Sequence, residues 1–134
     1  MPRLLISRAE ARSLARHCSQ ASPFEACGLL GGVRRGEEIR VRAFPGRNAY
    51  ASTDRFRLPR SEIERLATEI AAAGLRYCGA FHSHPTESPV PSALDARGAG
   101  PAGFVWLIYA VRHRRLQGYV WTGRRFRRLP LSSR

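Results

Sequence analysis

The sequence predicts a single α+β domain, spanning residues 1–134, built around one central sheet. Strand-like and helix-like stretches follow one another in a mixed order of strands, helix, strands, helix and strands. The length of 134 residues suffices for one hydrophobic core but not for a second. Hydrophobic residues make up 43% and charged residues 25% of the chain, which is ordinary for a globular protein and argues against disorder throughout.

The strands are predicted from short apolar or alternating runs. These runs cover residues 4–6, 27–33, 39–44, 75–84, 104–111, 117–122 and 125–129. Phe56 and Leu58 could form one more short strand. The basic stretch Arg124–Arg128 is interpreted as a solvated edge strand, because charges on an edge deter pairing with other chains.

The helices are predicted from capping patterns and apolar spacing. Ser7 and Glu10 form a capping-box pattern before a helix over residues 8–18. A second pattern of this kind, Ser61 to Glu64, opens a helix that Gly74 should end. Ser92 is expected to open a short helical turn.

Charge and cysteine content narrow the function classes. The net charge is +13, and all 23 basic residues are arginine, which predicts salt-sensitive attraction to anionic partners. The cysteines Cys18, Cys27 and Cys78 are odd in number and form no Cys-x-x-Cys pair, so neither a disulfide framework nor a cysteine-based zinc site is expected. No apolar run approaches the roughly 20 residues of a membrane span, and a cytoplasmic protein is expected.

Two histidines and one aspartate form the most informative pattern. His82 and His84 are two residues apart on a predicted strand, so both side chains should point to the same face. Pro85 ends the strand beside them, and Asp95 lies one helical turn from Ser92. Two imidazoles and a carboxylate make a three-ligand zinc site whose fourth position stays open for water, the pattern of catalytic zinc.

Such a site also needs a base and a donor to the substrate oxygen. Ser92 could supply a hydroxyl donor, and Glu25, at the edge of an apolar glycine-rich strand, is the best candidate base. Structural alternatives remain open: Ser92 and Asp95 could simply cap a helix, and Glu25 alone could be an ordinary surface acid. His17 and His113 are assigned no role in the site.

Taken together, these motifs resemble the JAMM (MPN+, Mov34/MPN/PAD-1) zinc metallopeptidases. The resemblance rests on Glu25, His82-Ser83-His84-Pro85 and Ser92-Ala93-Leu94-Asp95, with the spacing of that family's motif intact. The flanking segments Glu25–Gly32 and Cys78–Phe81 are also similar, and the likeness extends over about residues 3–122. The short chain looks like the stand-alone prokaryotic type.

The resemblance implies a set of roles. His82, His84 and Asp95 would bind one Zn²⁺, Glu25 would act as the base, and Ser92 would donate to the oxyanion. The substrate would be a ubiquitin-like or sulfur-carrier protein, cleaved after its C-terminal Gly-Gly. The implied architecture is cytidine-deaminase-like, with a mixed, mostly antiparallel sheet, two main flanking helices and a short helix after the metal loop.

The sequence leaves two other functions as alternatives. A non-catalytic MPN scaffold for protein interaction is the first alternative, but scaffolds of that family usually lack one or more of the five residues present here. A nucleic-acid-binding protein is less favoured, because basic charge is not accompanied by a recognisable nucleic-acid-binding motif.

Overall fold

The computed structural model of the chain describes residues 2–50, 52–53 and 56–134. Within these residues, eight strands form one sheet and three helices accompany it. The strands are β1 (Arg3–Ile6), β2 (Cys27–Arg35), β3 (Glu38–Pro45), β4 (Arg76–His84), β5 (Val105–Ala110), β6 (Arg115–Trp121), β7 (Phe126–Leu129) and β8 (Leu131–Ser133). The helices are α1 (Arg8–Ala21), α2 (Arg60–Ala72) and α3 (Ala93–Arg97).

The sheet is mixed, which confirms the predicted α+β class. Its strand order is β7-β6-β5-β4-β2-β3-β1-β8. Antiparallel pairs join β2 to β3 and β4, and join β6 to β5 and β7. Parallel pairs join β4 to β5 and β1 to both β3 and β8. The strand that carries the two histidines therefore lies in the middle of the sheet.

The sheet curls until it is nearly a barrel. Strands β7 and β8 follow each other along the chain, yet they lie at opposite edges of the sheet. Across the curl, the side chain of Leu4 in β1 packs against the backbone of Gly118 in β6, where any Cβ would collide with it. The expectation of a sheet simply flanked by two main helices is therefore only partly right.

Two apolar clusters cover the two faces of this sheet, because alternate residues of each strand point to opposite sides. Leu30 and Phe81 belong to the cluster that contains Leu14 and Cys18 of α1. Their neighbours Leu29 and Ala80 belong to the other cluster, which contains Leu66 and Ile70 of α2. Each of the two longer helices thus packs on its own face of the sheet.

The helix boundaries differ in part from those predicted. The Ser7 hydroxyl accepts a hydrogen bond from the Glu10 N–H (3.1 Å), as expected for an N-cap. The Glu10 carboxylate, however, accepts from the Ala43 N–H of β3 (3.2 Å) instead of closing a capping box. Helix α1 also continues three residues beyond the predicted end, to Ala21.

The second predicted capping box is wrong. Helix α2 begins at Arg60, with Pro59 at the N-cap position and no side-chain cap, so Ser61 and Glu64 lie inside the helix. Proline has no side-chain acceptor, and its carbonyl accepts instead from the N–H groups of Glu62 and Ile63 (3.0 Å each). Gly74 has φ +75°, as predicted for the residue that ends a helix.

Two strand predictions also change. Phe56 and Leu58 form no strand, although both pack against the α2 face of the sheet. Strand β8 was not predicted and adds an edge next to β1. β7 is an edge strand with Arg127 and Arg128 exposed, as the basic stretch suggested. None of the helices described is long and apolar enough to cross a membrane.

Candidate metal centre

The two histidines lie side by side at the end of β4. Both are buried, with exposures of 0% for His82 and 3% for His84. Neighbouring aromatic side chains enclose His82: the ring of Phe56 stacks on it with centroids 4.7 Å apart, and Trp106 meets it edge-on at 5.6 Å. Packing thus fixes the orientation of this imidazole and keeps bulk water away from it.

The third predicted ligand reaches the histidines from α3. The Asp95 carboxylate contacts Nε2 of His82 through Oδ1 (3.0 Å) and Nε2 of His84 through Oδ2 (3.1 Å). The two Nε2 atoms are 3.3 Å apart. One ligand atom from each of the three residues lies within 4.8 Å of the others, so the structure brings together the three residues that the spacing singled out.

A capping box holds Asp95 in place. The Ser92 hydroxyl accepts from the Asp95 N–H (3.1 Å), while Asp95 Oδ2 accepts from the Ser92 N–H (2.8 Å). Ser92 and Asp95 therefore do cap the helix, as the alternative interpretation expected. Capping is compatible with metal binding, because the Asp95 carboxylate can accept from the Ser92 N–H and face the two histidines at the same time. Ser92 is half-buried at the start of α3.

The donor set fits a zinc ion. His84 Nδ1 lies 2.8 Å from the Ser88 carbonyl oxygen, which can only accept a hydrogen bond. The Nδ1 of His84 must therefore carry the proton, which leaves the Nε2 lone pair for a metal, as is usual for zinc-bound histidines. Buried imidazole nitrogens and a carboxylate are ordinary zinc ligands.

Charge states around the cluster follow from burial and pairing. Burial lowers the pKa of His82, although Asp95 opposes this effect, so His82 favours the neutral form that binds metals. Burial also opposes ionisation of Asp95, but hydrogen bonds with the two histidines outweigh it and hold the pKa of Asp95 well below its usual range. Burial lowers the pKa of His84, but its hydrogen bonds with the Asp95 carboxylate and the Ser88 carbonyl outweigh burial and raise the pKa overall.

Glu25 is not the surface acid of the alternative interpretation: it is only 4% exposed. It lies between α1 and β2, two residues before Cys27, which pairs with His82 in the ladder of β2 and β4, so it is close to the cluster. Its N–H donates to the Ser52 carbonyl (2.9 Å), and its carbonyl accepts from Nδ2 of Asn48 (2.9 Å).

Ser83, between the two histidines, points to the other face of β4. Its hydroxyl accepts from the N–H of Ala26 (2.8 Å), and its own N–H donates to the Ala26 carbonyl (3.0 Å). β4 and the segment carrying Glu25 are thereby joined next to the cluster. Neither Ser83 nor Asn48 is among the site residues predicted from the sequence. The alternation of side chains along β4 indicates only that Ser83 points away from the two histidines, and no sequence pattern marks Asn48.

A cavity of about 470 Å³ opens beside Asp95. Apolar and aromatic side chains dominate its wall, including Tyr50, Phe56, Leu58 and Trp106. A second depression is lined by Glu25, His17 and again Tyr50. The cavity thus reaches Asp95, the depression reaches Glu25, and Tyr50 lines both.

The cysteines are free, as predicted. Burial raises the pKa of Cys18 and of Cys27 to about 12, and that of the half-buried Cys78 to about 11. They remain protonated at neutral pH, and none belongs to the cluster of possible metal ligands.

Comparison with known proteins connects this site to a family. The family of prokaryotic homologs of the JAB domain matches residues 7–128. The curated protein desampylase from Haloferax volcanii is 34% identical over 111 residues, which cover 82% of this chain and 78% of desampylase.

Solved structures show the same fold. A solution structure of a protein from Desulfitobacterium hafniense has a TM-score of 0.86 at 26% identity, covering 98% of this chain and 92% of its own. A solution structure of a protein from Salinibacter ruber has a TM-score of 0.69 at 24% identity, covering 100% and 92%. The family match spans the whole candidate site, from Glu25 to Asp95. The chain therefore belongs to the family of prokaryotic homologs of the JAB domain.

Proposed function

We propose that this protein is a zinc-dependent hydrolase that cleaves the bond after the C-terminal Gly-Gly of a ubiquitin-like or sulfur-carrier protein. The observation that carries the proposal is the buried cluster of His82, His84 and Asp95, with the buried Glu25 two residues before Cys27, the strand partner of His82. Membership of the JAB-domain family and the 34% identity to desampylase support the hydrolase class and the ubiquitin-like substrate.

In this proposal His82, His84 and Asp95 hold one Zn²⁺. When bound, zinc acts as a Lewis acid that polarises a carbonyl oxygen and makes water acidic near neutral pH. The Ser88 carbonyl keeps His84 in the tautomer that offers Nε2, and the Ser92 N–H orients the Asp95 carboxylate. These two contacts reduce the freedom of the ligands before any metal arrives.

Glu25 moves the proton. Its carboxylate accepts a proton from the attacking water and returns it to the leaving amine, so that the amine departs as a neutral group. Burial serves this role, because Glu25 is only 4% exposed and little bulk water can compete for the proton.

Ser92 stabilises the substrate oxygen. Its hydroxyl oxygen accepts from Asp95, which leaves its own hydrogen available to donate to an oxygen that becomes negative during the reaction. The cavity beside Asp95 offers room for the extended end of the carrier protein.

The first test is metal content. Elemental mass spectrometry on protein purified without chelator should find about one zinc per chain, and His84→Ala should lose it, because three ligands are reduced to two. An absence of zinc in both proteins, even after incubation with zinc, would remove the metallopeptidase mechanism.

The second test is turnover. The probe is a ubiquitin-fold protein whose C-terminal glycine is joined through an isopeptide bond to a fluorescent lysine peptide. Glu25→Gln should keep zinc and lose about 10²–10⁴-fold in kcat, since it removes the base but no ligand. Full activity in Glu25→Gln would exclude Glu25 as the base.

A further inference from the structure

The backbone of Glu25 is held by a loop rather than by a strand ladder. Glu25 lies two residues before β2 begins at Cys27, outside the ladder that joins β2 to β4. Its N–H and C=O are instead bound by Ser52 and Asn48, which belong to the segment after β3. We call residues 46–58 of this segment, as far as they are described, the Asn48 loop.

Asn48 also organises that loop. While its Nδ2 donates to the Glu25 carbonyl, its Oδ1 accepts from the N–H of Tyr50 and from the N–H of Arg57, each at 2.9 Å. The backbone of Ala49 donates to the Arg57 carbonyl (2.8 Å), which closes the loop at the same place. One amide side chain thus connects three separate backbone positions.

The Asn48 loop forms one wall of the cavity beside Asp95. Tyr50, Phe56 and Leu58 line that cavity, and Phe56 stacks on the predicted ligand His82. The side chain that holds Glu25 therefore also holds the surface that a ligand in the cavity would contact.

We infer that Asn48 is a positioning residue: its Nδ2 fixes the backbone of Glu25, and its Oδ1 fixes the cavity wall. This inference rests on the proposed function, because it takes Glu25 as the base. A general base works only within hydrogen-bond reach of its proton, so a small displacement of Glu25 lowers the rate without affecting the metal ligands.

Substitutions can distinguish the role of the Asn48 Nδ2 donor from that of the Oδ1 acceptor. Asn48→Asp keeps an oxygen for Tyr50 and Arg57 but places a second oxygen against the Glu25 carbonyl, which removes the donor. Asn48→Ala removes each of the three bonds described above. Ser7→Ala is the matched control, because it also deletes a side chain that bonds to backbone, at the far end of α1.

With the isopeptide probe, Asn48→Asp should lower kcat on the order of 10²-fold, the effect of a displacement of about 1 Å, with little change in KM. Asn48→Ala should lower kcat and also raise KM, because the cavity wall is released as well. Zinc content should equal that of the wild type in both variants. The plateau of the pH–rate profile should fall in Asn48→Asp, whereas a mere charge effect would shift the profile along the pH axis.

Amide hydrogen exchange gives a readout that needs no activity. In Asn48→Asp the amides of Glu25 and Ala26 should exchange faster while those of Tyr50 and Arg57 stay protected; in Asn48→Ala all four should exchange faster. If the wild-type protein hydrolyses nothing, the proposed function fails, and the exchange pattern still decides the positioning role.

Three results would overturn the inference. Unchanged exchange at Glu25 and Ala26 in both variants would show that Asn48 does not hold this backbone. Values of kcat equal to that of Ser7→Ala would show that the contact is only structural. Loss of zinc from Asn48→Asp would assign Asn48 to the stability of the metal centre instead.

Discussion

At the scale of single residues, the two carboxylate oxygens of Asp95 contact three neighbouring groups. They contact both histidines and the Ser92 N–H. Asp95→Asn replaces one oxygen by a donor and removes the charge, so zinc affinity should fall by about 10- to 100-fold or more. Competition with a chelator of known affinity measures this. The exposed loop residue Glu87 supplies the control, Glu87→Gln. Equal affinities in the two variants would leave Asp95 with a capping role only.

Ser92 combines a cap with a free hydroxyl hydrogen. Ser92→Ala should lower kcat by about 10²-fold, the effect of losing an oxyanion donor, and raise KM less. Ser92→Thr keeps both the hydroxyl and the cap, and it should retain most of the activity. Steady-state kinetics of the two variants, with thermal unfolding measured alongside, separates the roles. Equal changes in kcat and KM would point to substrate contact or capping.

The thiols should be unreactive in the folded protein. Burial raises the pKa of Cys78 to about 11, so at pH 8 only about one such thiol in a thousand is ionised, and alkylation requires the thiolate. Iodoacetamide should label the native protein slowly and the denatured protein at all three cysteines. Mass spectrometry follows the reaction. Rapid labelling of Cys78 before unfolding would contradict its burial.

At the scale of secondary-structure elements, the parallel pair of β4 and β5 depends on Gly79. A Cβ at this position would collide with the backbone oxygen of Val105. Gly79→Ala should therefore lower the free energy of unfolding by about 1–3 kcal/mol or more, because backbone must move to admit the methyl group. Urea denaturation measures the loss.

Gly98→Ala is the control for this prediction. Gly98 has φ −109°, and a Cβ there meets no atom within 4 Å. Its denaturation midpoint should stay near that of the wild type. Equal midpoints for Gly79→Ala and Gly98→Ala would mean that β4 and β5 approach less closely than described.

Local patterns could be predicted from the sequence, and distant contacts could not. The histidines are two residues apart on one strand, and Ser92 and Asp95 share one helical turn, so spacing alone predicts their relative directions. Asn48 bonds to Glu25, 23 residues away, and Ser83 bonds to Ala26, 57 residues away. No local period marks such contacts.

The same distinction explains the missed and misplaced elements. Strand β8 is only three residues long and forms because β1, from the other end of the chain, pairs with it. Phe56 and Leu58 are two residues apart, and both side chains pack on the face of the sheet that α2 covers. The backbone there forms no strand ladder. Alternation reports burial on one side, and burial does not require a strand.

At the scale of the whole molecule, the charge of +13 should affect encounter rates. Association with an acidic carrier protein should slow by about tenfold or more between low and physiological salt, because screening shortens the reach of the arginine charges. Stopped-flow fluorescence with a labelled carrier measures the rate. A carrier variant with its surface acids neutralised is the control. A rate independent of salt would exclude electrostatic steering.

The curled sheet also has a consequence for how the chain folds during synthesis. β1 is made first and β8 last, and the two pair in parallel, with the N–H of Arg134 donating to the Ile6 carbonyl (3.3 Å). The three predicted ligands, Glu25 and Ser92 lie between residues 25 and 95, and Trp106, which packs on His82, lies in β5, so these residues all precede β8 in the chain. The pairing of β1 with β8 therefore comes after synthesis of the strands that hold these residues, and because Leu4 and Leu131 are far apart in the sequence, this contact is slow to form.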